Sequence, residues 1–432
     1  MHEAELIAEH VYRQARADEW LWRQARALGV SRRRLLQLLG SGAGAVLIGA
    51  APRRAAARSA WPASPEGDDP FAGWFVQPTP PEYFIDHGRG KEMRWGAVSH
   101  REYLTPNARF YINNHYPTPR IDPATYRLRV DGSGVSRPLE LTADDLLALP
   151  SLTITCAQEC GQNGHVFFEQ QFGHPFPGTG WQFGATGVAE FTGVPLGEVL
   201  ERAGVKRSTR DVMPIGLDAR EDDPERPARP IPLAKALAED TLLVYGMNGE
   251  PLPPDHGFPI RVFVPGWVAT SSIKWVGHIV VSEEPLAAQF ALEHSLLIGP
   301  DYPPEGGLPG QLATYQSVKS AFELAWPATL GAGPQTITGR SWSGLGRIAR
   351  VEVSLDGGQT VQLARLLEPN VPRAWVRWEV DWDGQPGEHR FKARATDELG
   401  RTQPDAAAYN EHALLYDAVV AHPVTVLHSG GK

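Results

Sequence analysis

Cysteine is nearly absent from this chain: two in 432 residues, Cys156 and Cys160, four positions apart. A pair so placed cannot supply a disulfide framework for a protein of this size, which leaves a chemical role for at least one thiol. Lysine is scarce too, and no basic cluster follows the N-terminal region of a chain whose net charge is −9. Nucleic acid therefore has no electrostatic footprint to bind, and no such partner is expected. No apolar run reaches the roughly 18 residues that a membrane-spanning helix needs, so no transmembrane span is expected in the mature protein. What is plentiful is glycine, 44 residues, and proline, 38, which favour short strands joined by many turns over long helices. At this length one hydrophobic core stops growing, and two globular units plus extras are expected.

The N-terminal region reads as an address. Ser31-Arg32-Arg33-Arg34-Leu35-Leu36-Gln37 precedes the weakly apolar run LLGSGAGAVLIGAAP, the pattern of a twin-arginine export signal. A basic amphipathic surface helix is the alternative reading. The signal region spans residues 1–58, predicts a periplasmic or extracytoplasmic location, and suits a cargo that folds around a cofactor before crossing the membrane. Its first thirty residues form an amphipathic stretch of alternating charge whose role stays open. Residues 59–81, rich in Pro, Ala and Gly, read as a linker.

From 82 to 308, β-like stretches (Tyr126 to Val130, Leu152 to Thr155, Arg261 to Val264, His278 to Val281) mix with helical ones (Ala143 to Ala148, Leu196 to Ala203), an α+β pattern. From 320 to 428 the pattern is strands at sandwich spacing, with Asp356-Gly357-Gly358 as a hairpin turn.

Three stretches carry chemistry. In TITCAQECGQNGH, Cys160 sits in a Gly-rich loop after a strand, with Asn163 and His165 beside it; glycine lets backbone approach a large ligand, and an exposed thiolate is a soft ligand for a transition metal. The bland reading of Cys160 is an inert buried thiol. Cys156 reads as structural, with a reversible pair to Cys160 as a further option. In YGMNGEPLPPDHGFPIRVFVPGWVATSSIKWVGH, His256, Arg261 and Lys274 offer the donors that a phosphate-bearing cofactor needs. ARFYINNHYPTPRID adds Tyr111, Ile112, Asn113, Asn114 and His115.

Together these stretches resemble the molybdopterin domain of the sulfite oxidase family, where Glu-Cys-Ala-Gly-Asn supplies the metal thiolate; here it reads Glu159-Cys160-Gly161-Gln162-Asn163. The Asn-Gly-x-Pro-Leu-Pro-x-Asp-His-Gly-Phe-Pro-x-Arg run is similar to that family's cofactor loop. SWSGLGR, VEVSLDGG and the strands after them resemble its immunoglobulin-like dimerisation domain. The fold implied is a mixed α+β molybdopterin-binding domain followed by an immunoglobulin-like β-sandwich.

The resemblance implies one molybdenum–molybdopterin per chain, with Cys160 on the metal. The cofactor would contact Tyr111, Ile112, Asn113, Asn114, His115, Asp218, His256, Arg261, Ser272, Ile273 and Lys274, while Asn113 and His165 face the substrate beside Cys160. It also implies a homodimer. No haem attachment sequence is present, so no haem is expected, and electrons would pass to a separate partner such as a c-type cytochrome.

Where sulfite-oxidising members carry arginine, this chain has Asn113, His165 and Ser271. A dianion needs paired cations in a desolvated pocket, so a small sulfur-containing substrate is expected for which sulfite itself is a poor fit. Arg220, Arg226 and Arg229 are candidates to restore the charge. Two alternatives stand beside this one: a sulfane or sulfur-compound dehydrogenase subunit of a complex, and a non-catalytic binding protein on the same fold.

Overall fold

Bulges and alternation together decide which side chains the sheets bury. In the strand Val276–Ser282, Val276, Ile279 and Val281 are buried, and the register shift between Val276 and His278 moves the pleat so that these residues share a face. The structure, a computed structural model, describes residues 71–219, 225–305 and 307–428. The twin-arginine segment and the rest of 1–58 lie outside the described residues, as does Arg220.

Val276–Ser282 is the centre of a five-stranded sheet ordered Leu139–Leu141, Leu128–Asp131, Val276–Ser282, Asp211–Gly216, Ile231–Pro232, with its second and third strands parallel. A second sheet orders Glu250–Pro251, Leu242–Met247, Thr186–Pro195 and Leu152–Glu159, and Arg261–Phe263 also pairs with Leu242–Met247. A small third sheet joins Phe84–Asp86, Gly90–Met93 and Ile112–Asn113. The helix Leu196–Arg202 leaves the end of Thr186–Pro195 directly and buries Leu196, Val199 and Leu200, the i, i+3, i+4 stripe that places it on the first sheet's core with Val212, Val262 and Ile279. Thr142 and Asp145 cap the short helix Ala143–Leu147 reciprocally. Among the described residues no helix is long and apolar enough to cross a membrane.

The C-terminal part is a β-sandwich. Lys319–Phe322, Gly333–Trp342, Trp375–Gly384 and Arg365–Leu367 form one sheet; Ala328–Gly331, His422–Leu427, Gly387–Asp397, Ile348–Ser354 and Gln362–Leu363 form the other. Val351, Val353, Val376, Trp378, Phe391 and Val424 fill the space between them. The Asp356-Gly357-Gly358 turn is longer than a two-residue hairpin. Asp356 accepts hydrogen bonds from the Gln359 and Thr360 amides at 2.9 and 3.0 Å, which delays the partner strand to Gln362.

The described residues pack as one compact unit. Met93, Trp95, Phe167 and Phe183 from the α+β part share an apolar cluster with Trp342, Trp375 and Tyr416. Two buried ion pairs also link residues within this unit, Lys319–Glu159 at 2.5 Å and Arg340–Glu323 at 2.7 Å. The stretch read as linker needs correcting at its end: the amides of Val76 and Gln77 donate to the Asp255 carboxylate at 3.0 and 2.7 Å, so these residues belong to the folded unit.

His422 is buried against Phe322 and Trp326, and its Nε2 lies 2.8 Å from the Ala325 carbonyl oxygen. Burial pulls its pKa down to about 4. A histidine depressed in the folded state contributes stability that is complete above its unfolded value, about 6.5, and is lost as pH falls toward 4. Asp417, which burial pushes up to about 6, works in the opposite direction. The difference between wild type and His422→Gln therefore isolates the histidine: the variant's melting temperature should fall less steeply than wild type's between pH 6.5 and 4.

Candidate active site

Cys160 comes immediately after the strand Leu152–Glu159, whose pairing with Thr186–Pro195 runs out at Glu159 opposite Thr186. The chain turns there. The Cys160 amide donates to the Ala185 carbonyl at 2.9 Å and the Asn163 amide to the Cys160 carbonyl at 3.0 Å. Gly164, at φ 100°, then admits the helix His165–Phe172; a Cβ at that position would meet Phe183 and Tyr416 at 2.9 Å.

The residues on either side of the thiol hold the turn. Glu159 accepts from Lys319 Nζ at 2.5 Å, Asn163 Nδ2 at 2.9 Å and Trp342 Nε1 at 3.0 Å. Asn163 in turn accepts from the Ala185 amide at 3.0 Å through its side chain and from Lys319 at 3.0 Å through its carbonyl. Burial raises the Cys160 pKa, while the Gln162 backbone, Lys319 and Asn113 pull the other way; Asn113 Nδ2 lies 3.7 Å from Sγ. A cationic metal would reverse that burial penalty by stabilising the thiolate. Cys156 is free and buried in the core, its thiol 3.1 Å from the Arg373 carbonyl oxygen and pushed up to about 11 by burial, as expected of a structural residue.

A second part of the cavity lining is built around Asp255. Its carboxylate takes the Thr118 hydroxyl at 2.6 Å besides the two amides of residues 76 and 77, and Thr118 takes Asn114 Nδ2 at 2.9 Å. Lys274 Nζ donates to the Asp255 carbonyl at 2.8 Å and to Asn114 Oδ1, and lies 4.2 Å from the Trp275 ring centroid. Arg261 donates to the carbonyls of His256 and Ser272 at 3.0 and 2.8 Å.

Tyr111, Ile112, Asn113, Asn114, His115, Cys160, Asp218, His256, Arg261, Ser272, Ile273 and Lys274 all line one cavity. His165 is not brought to it. As the first residue of its helix it is buried, with Nε2 3.4 Å from the Pro177 carbonyl oxygen, so its expected place beside Cys160 facing substrate is corrected. Of the arginines proposed to restore charge, Arg226 and Arg229 do not line the cavity either. Arg226 donates to the Gly216 carbonyl at 3.3 Å, and buried Arg229 donates to Thr270 at 3.0 Å and to the Ala313 carbonyl. Arg89, Phe290, His294 and Leu414 line the cavity without belonging to any of the three stretches. The only sequence signal for Arg89 is its place one residue before the strand Gly90–Met93, which pairs with Ile112–Asn113.

The cavity suits a large, polar, anionic ligand. Asp218 Oδ1, His256 Nε2 and Arg261 Nε, all on residues that line it, are buried without hydrogen-bond partners, and such groups are costly to leave unpaired. Burial lowers Lys274, with Arg261 adding repulsion, and burial also lowers Arg261, to about 10. His256 falls to about 3 through burial and then the charges of Lys274 and Arg261, so it stays neutral. Burial raises Asp218 and Tyr111, which keeps the tyrosine a hydroxyl donor. A phosphate between Arg261 and Lys274 removes their mutual repulsion, and a heterocycle with donors and acceptors meets the unpaired atoms. Among the described residues no group of three or more His, Cys, Asp or Glu is arranged to hold a metal ion; Cys160 is the cavity residue that would supply a soft ligand to one.

Residues 115–290 match the oxidoreductase molybdopterin binding domain and residues 321–424 the Mo-co oxidoreductase dimerisation domain. The chain is 34% identical over 362 residues to a sulfite oxidase of Gallus gallus, covering 80% of this chain and 78% of that one. With the mitochondrial sulfite oxidase of Homo sapiens the identity is 34% over 326 residues, 71% of this chain and 58% of the human one. Among solved structures it is similar to the sulfane dehydrogenase SoxCD from Paracoccus pantotrophus, with a TM-score of 0.67 and 29% identity, covering 76% of this chain and 82% of that one.

Proposed function

The chain belongs to the sulfite oxidase family and is a molybdopterin-dependent oxidoreductase, and from that premise we propose that it is exported and performs two-electron oxygen-atom transfer at the sulfur of a small substrate. The observation that carries this reading is a single cavity lined both by a buried thiol, Cys160, and by the cationic Arg261 and Lys274. When bound, the molybdenum cofactor supplies a centre that changes by two electrons as oxygen moves to or from substrate. Everything else is the work of the chain. Cys160 supplies the thiolate, and Glu159 and Asn163 fix its turn. Arg261, Lys274 and neutral His256 hold the cofactor's phosphate and ring, Asp218 accepts from it, and Tyr111, Ile112, Asn114, Ser272 and Ile273 close the wall around it. Asn113 donates toward the thiolate sulfur at 3.7 Å. Electrons pass to a separate protein, a small c-type cytochrome, and residues 321–424 mediate a homodimer.

A second reading is a sulfane dehydrogenase subunit of a complex. It is favoured by the structural similarity to SoxCD and by the neutral Asn113 and Ser271 where sulfite-oxidising members carry cations.

The test uses the full chain expressed with its N-terminal region in a molybdenum-replete host. About one molybdenum per chain, recovery from the periplasmic fraction, and reduction of a c-type cytochrome on addition of a sulfur compound are the expected results. Turnover only with a partner subunit supports the second reading. Loaded protein that exchanges no electrons with any sulfur compound overturns the substrate class.

A further inference from the structure

Glu159 stands directly before the thiol residue, and both oxygens of its carboxylate are held from the sandwich. Lys319 opens the strand Lys319–Phe322, Trp342 closes Gly333–Trp342, and the two residues are partners in the ladder between those strands. This cross-strand pair reaches Glu159 together. Lys319 Nζ donates to Oε1 at 2.5 Å and Trp342 Nε1 to Oε2 at 3.0 Å. The same ammonium donates to the Asn163 carbonyl at 3.0 Å. One cation thus grips the turn on both sides of Cys160.

Neutral groups would hold this turn as well. Asn163 Nδ2 and Trp342 Nε1 already donate to the carboxylate, and the desolvation of a buried ion pair offsets much or all of its attraction. The two charged side chains are 0% and 1% exposed, so that cost is incurred in full. The charges therefore call for a reason other than packing, and their position beside the thiol supplies one. Away from water, a charge this close to sulfur acts on it with little screening. Burial chiefly raises the Cys160 thiol; Glu159 adds to the rise and Lys319 opposes it.

We propose that Lys319 is a positioning residue of the reaction: it fixes the Cys160 turn and balances the Glu159 charge, and thereby sets the potential at which the thiolate-bound metal cycles. The proposal rests on Cys160 being the metal's thiolate and does not depend on which sulfur compound is turned over. Charge and hydrogen bonding around a ligating sulfur are what tune such a potential. An unbalanced negative charge there favours the oxidised metal and lowers the potential, and an unbalanced positive charge raises it.

An EPR-monitored redox titration of molybdenum-loaded full-length protein tests this in wild type, Lys319→Met, Glu159→Gln, the double variant and Arg340→Met. Molybdenum per chain and kcat are measured on the same preparations. Arg340→Met is the control for lost stability: it breaks the other buried ion pair, with Glu323, and the remaining hydrogen-bond partners of Arg340 are the carbonyls of Ser99, Glu102 and Tyr103, none of them in the turn. Lys319→Met should shift the potential down and Glu159→Gln should shift it up. The double variant and Arg340→Met should stay close to wild type. In Lys319→Met kcat should fall roughly 10-fold or more at unchanged molybdenum content. Should Lys319→Met not fold, the upward shift in Glu159→Gln and its reversal in the double variant carry the same test. Potentials equal to wild type in every folded variant reduce Lys319 to a structural role and overturn the proposal. So does a shift in Arg340→Met as large as that in Lys319→Met, or loss of molybdenum from Lys319→Met, which assigns the lysine to holding the cofactor. Opposite shifts in the two single variants of an enzyme that oxidises no sulfur compound support the role of Lys319 while refuting the substrate class.

Discussion

Lys319→Met should lower the stability of the folded protein by about 3–5 kcal/mol, the cost of leaving one member of a buried ion pair without its counter-charge. Lys319 is fully buried and Glu159 is 1% exposed. The glutamate's other donors, Asn163 Nδ2 and Trp342 Nε1, are both neutral, so nothing else nearby takes the cation's place. Methionine preserves the volume of the lysine stem and removes only the ammonium, which separates charge from packing. The double variant Lys319→Met/Glu159→Gln should recover much of the loss, because a neutral amide still accepts from Trp342. Chemical denaturation of the three proteins checks this. A loss below about 1 kcal/mol in the single variant would mean that water reaches Glu159.

Cys160→Ser should reduce turnover by at least about a thousandfold, roughly 4 kcal/mol of barrier. Serine keeps the shape of the side chain but replaces a soft, polarizable sulfur by a hard hydroxyl that does not ionise at neutral pH. If Arg261, Lys274 and His256 hold the phosphate and ring of the cofactor as proposed, the variant should retain much of its molybdopterin while losing turnover. Molybdenum per chain and kcat measured on one preparation separate the two effects. Cys156→Ser is the control: that thiol lies in the core against the Arg373 carbonyl, and its replacement should cost stability and leave metal content alone. Equal loss of activity in both variants would remove Cys160 from its assigned role.

Much of the scaffold was legible because its strands obey local rules. Val276–Ser282 and Arg261–Phe263 lie where the apolar pattern puts them, and the helix Leu196–Arg202 follows its 3.6-residue stripe. The strand that delivers Cys160 was read only as far as Thr155, because Gln158 and Glu159 look like residues of a solvated loop. They are buried because Glu159 meets Lys319, 160 positions away in sequence, and no local pattern announces a partner that remote. The same limit explains the site. Cys160, His256, Arg261 and Lys274 stand in motifs whose spacing carries a recognisable chemistry. Arg89 and His294 stand in none, and only folding brings their segments to one wall. His165 misled for the opposite reason: it is adjacent to the motif in sequence, but the helix it begins turns its ring toward Pro177.

The bonds that hold the Cys160 turn also fix when it can form. Glu159 waits for Lys319 and for Trp342, 183 residues downstream, just as the Asp255 wall waits for Val76 and Gln77, 179 and 178 residues upstream. Contacts of such separation carry a large loop-closure cost and come late in folding. During synthesis, a chain that has not yet emerged past Trp342 holds Glu159 without one of its three donors, and one that has not reached Lys319 lacks the cation as well. Completion of the Cys160 turn is thereby tied to translation as far as Trp342, and chains truncated before that residue are left with the turn incomplete.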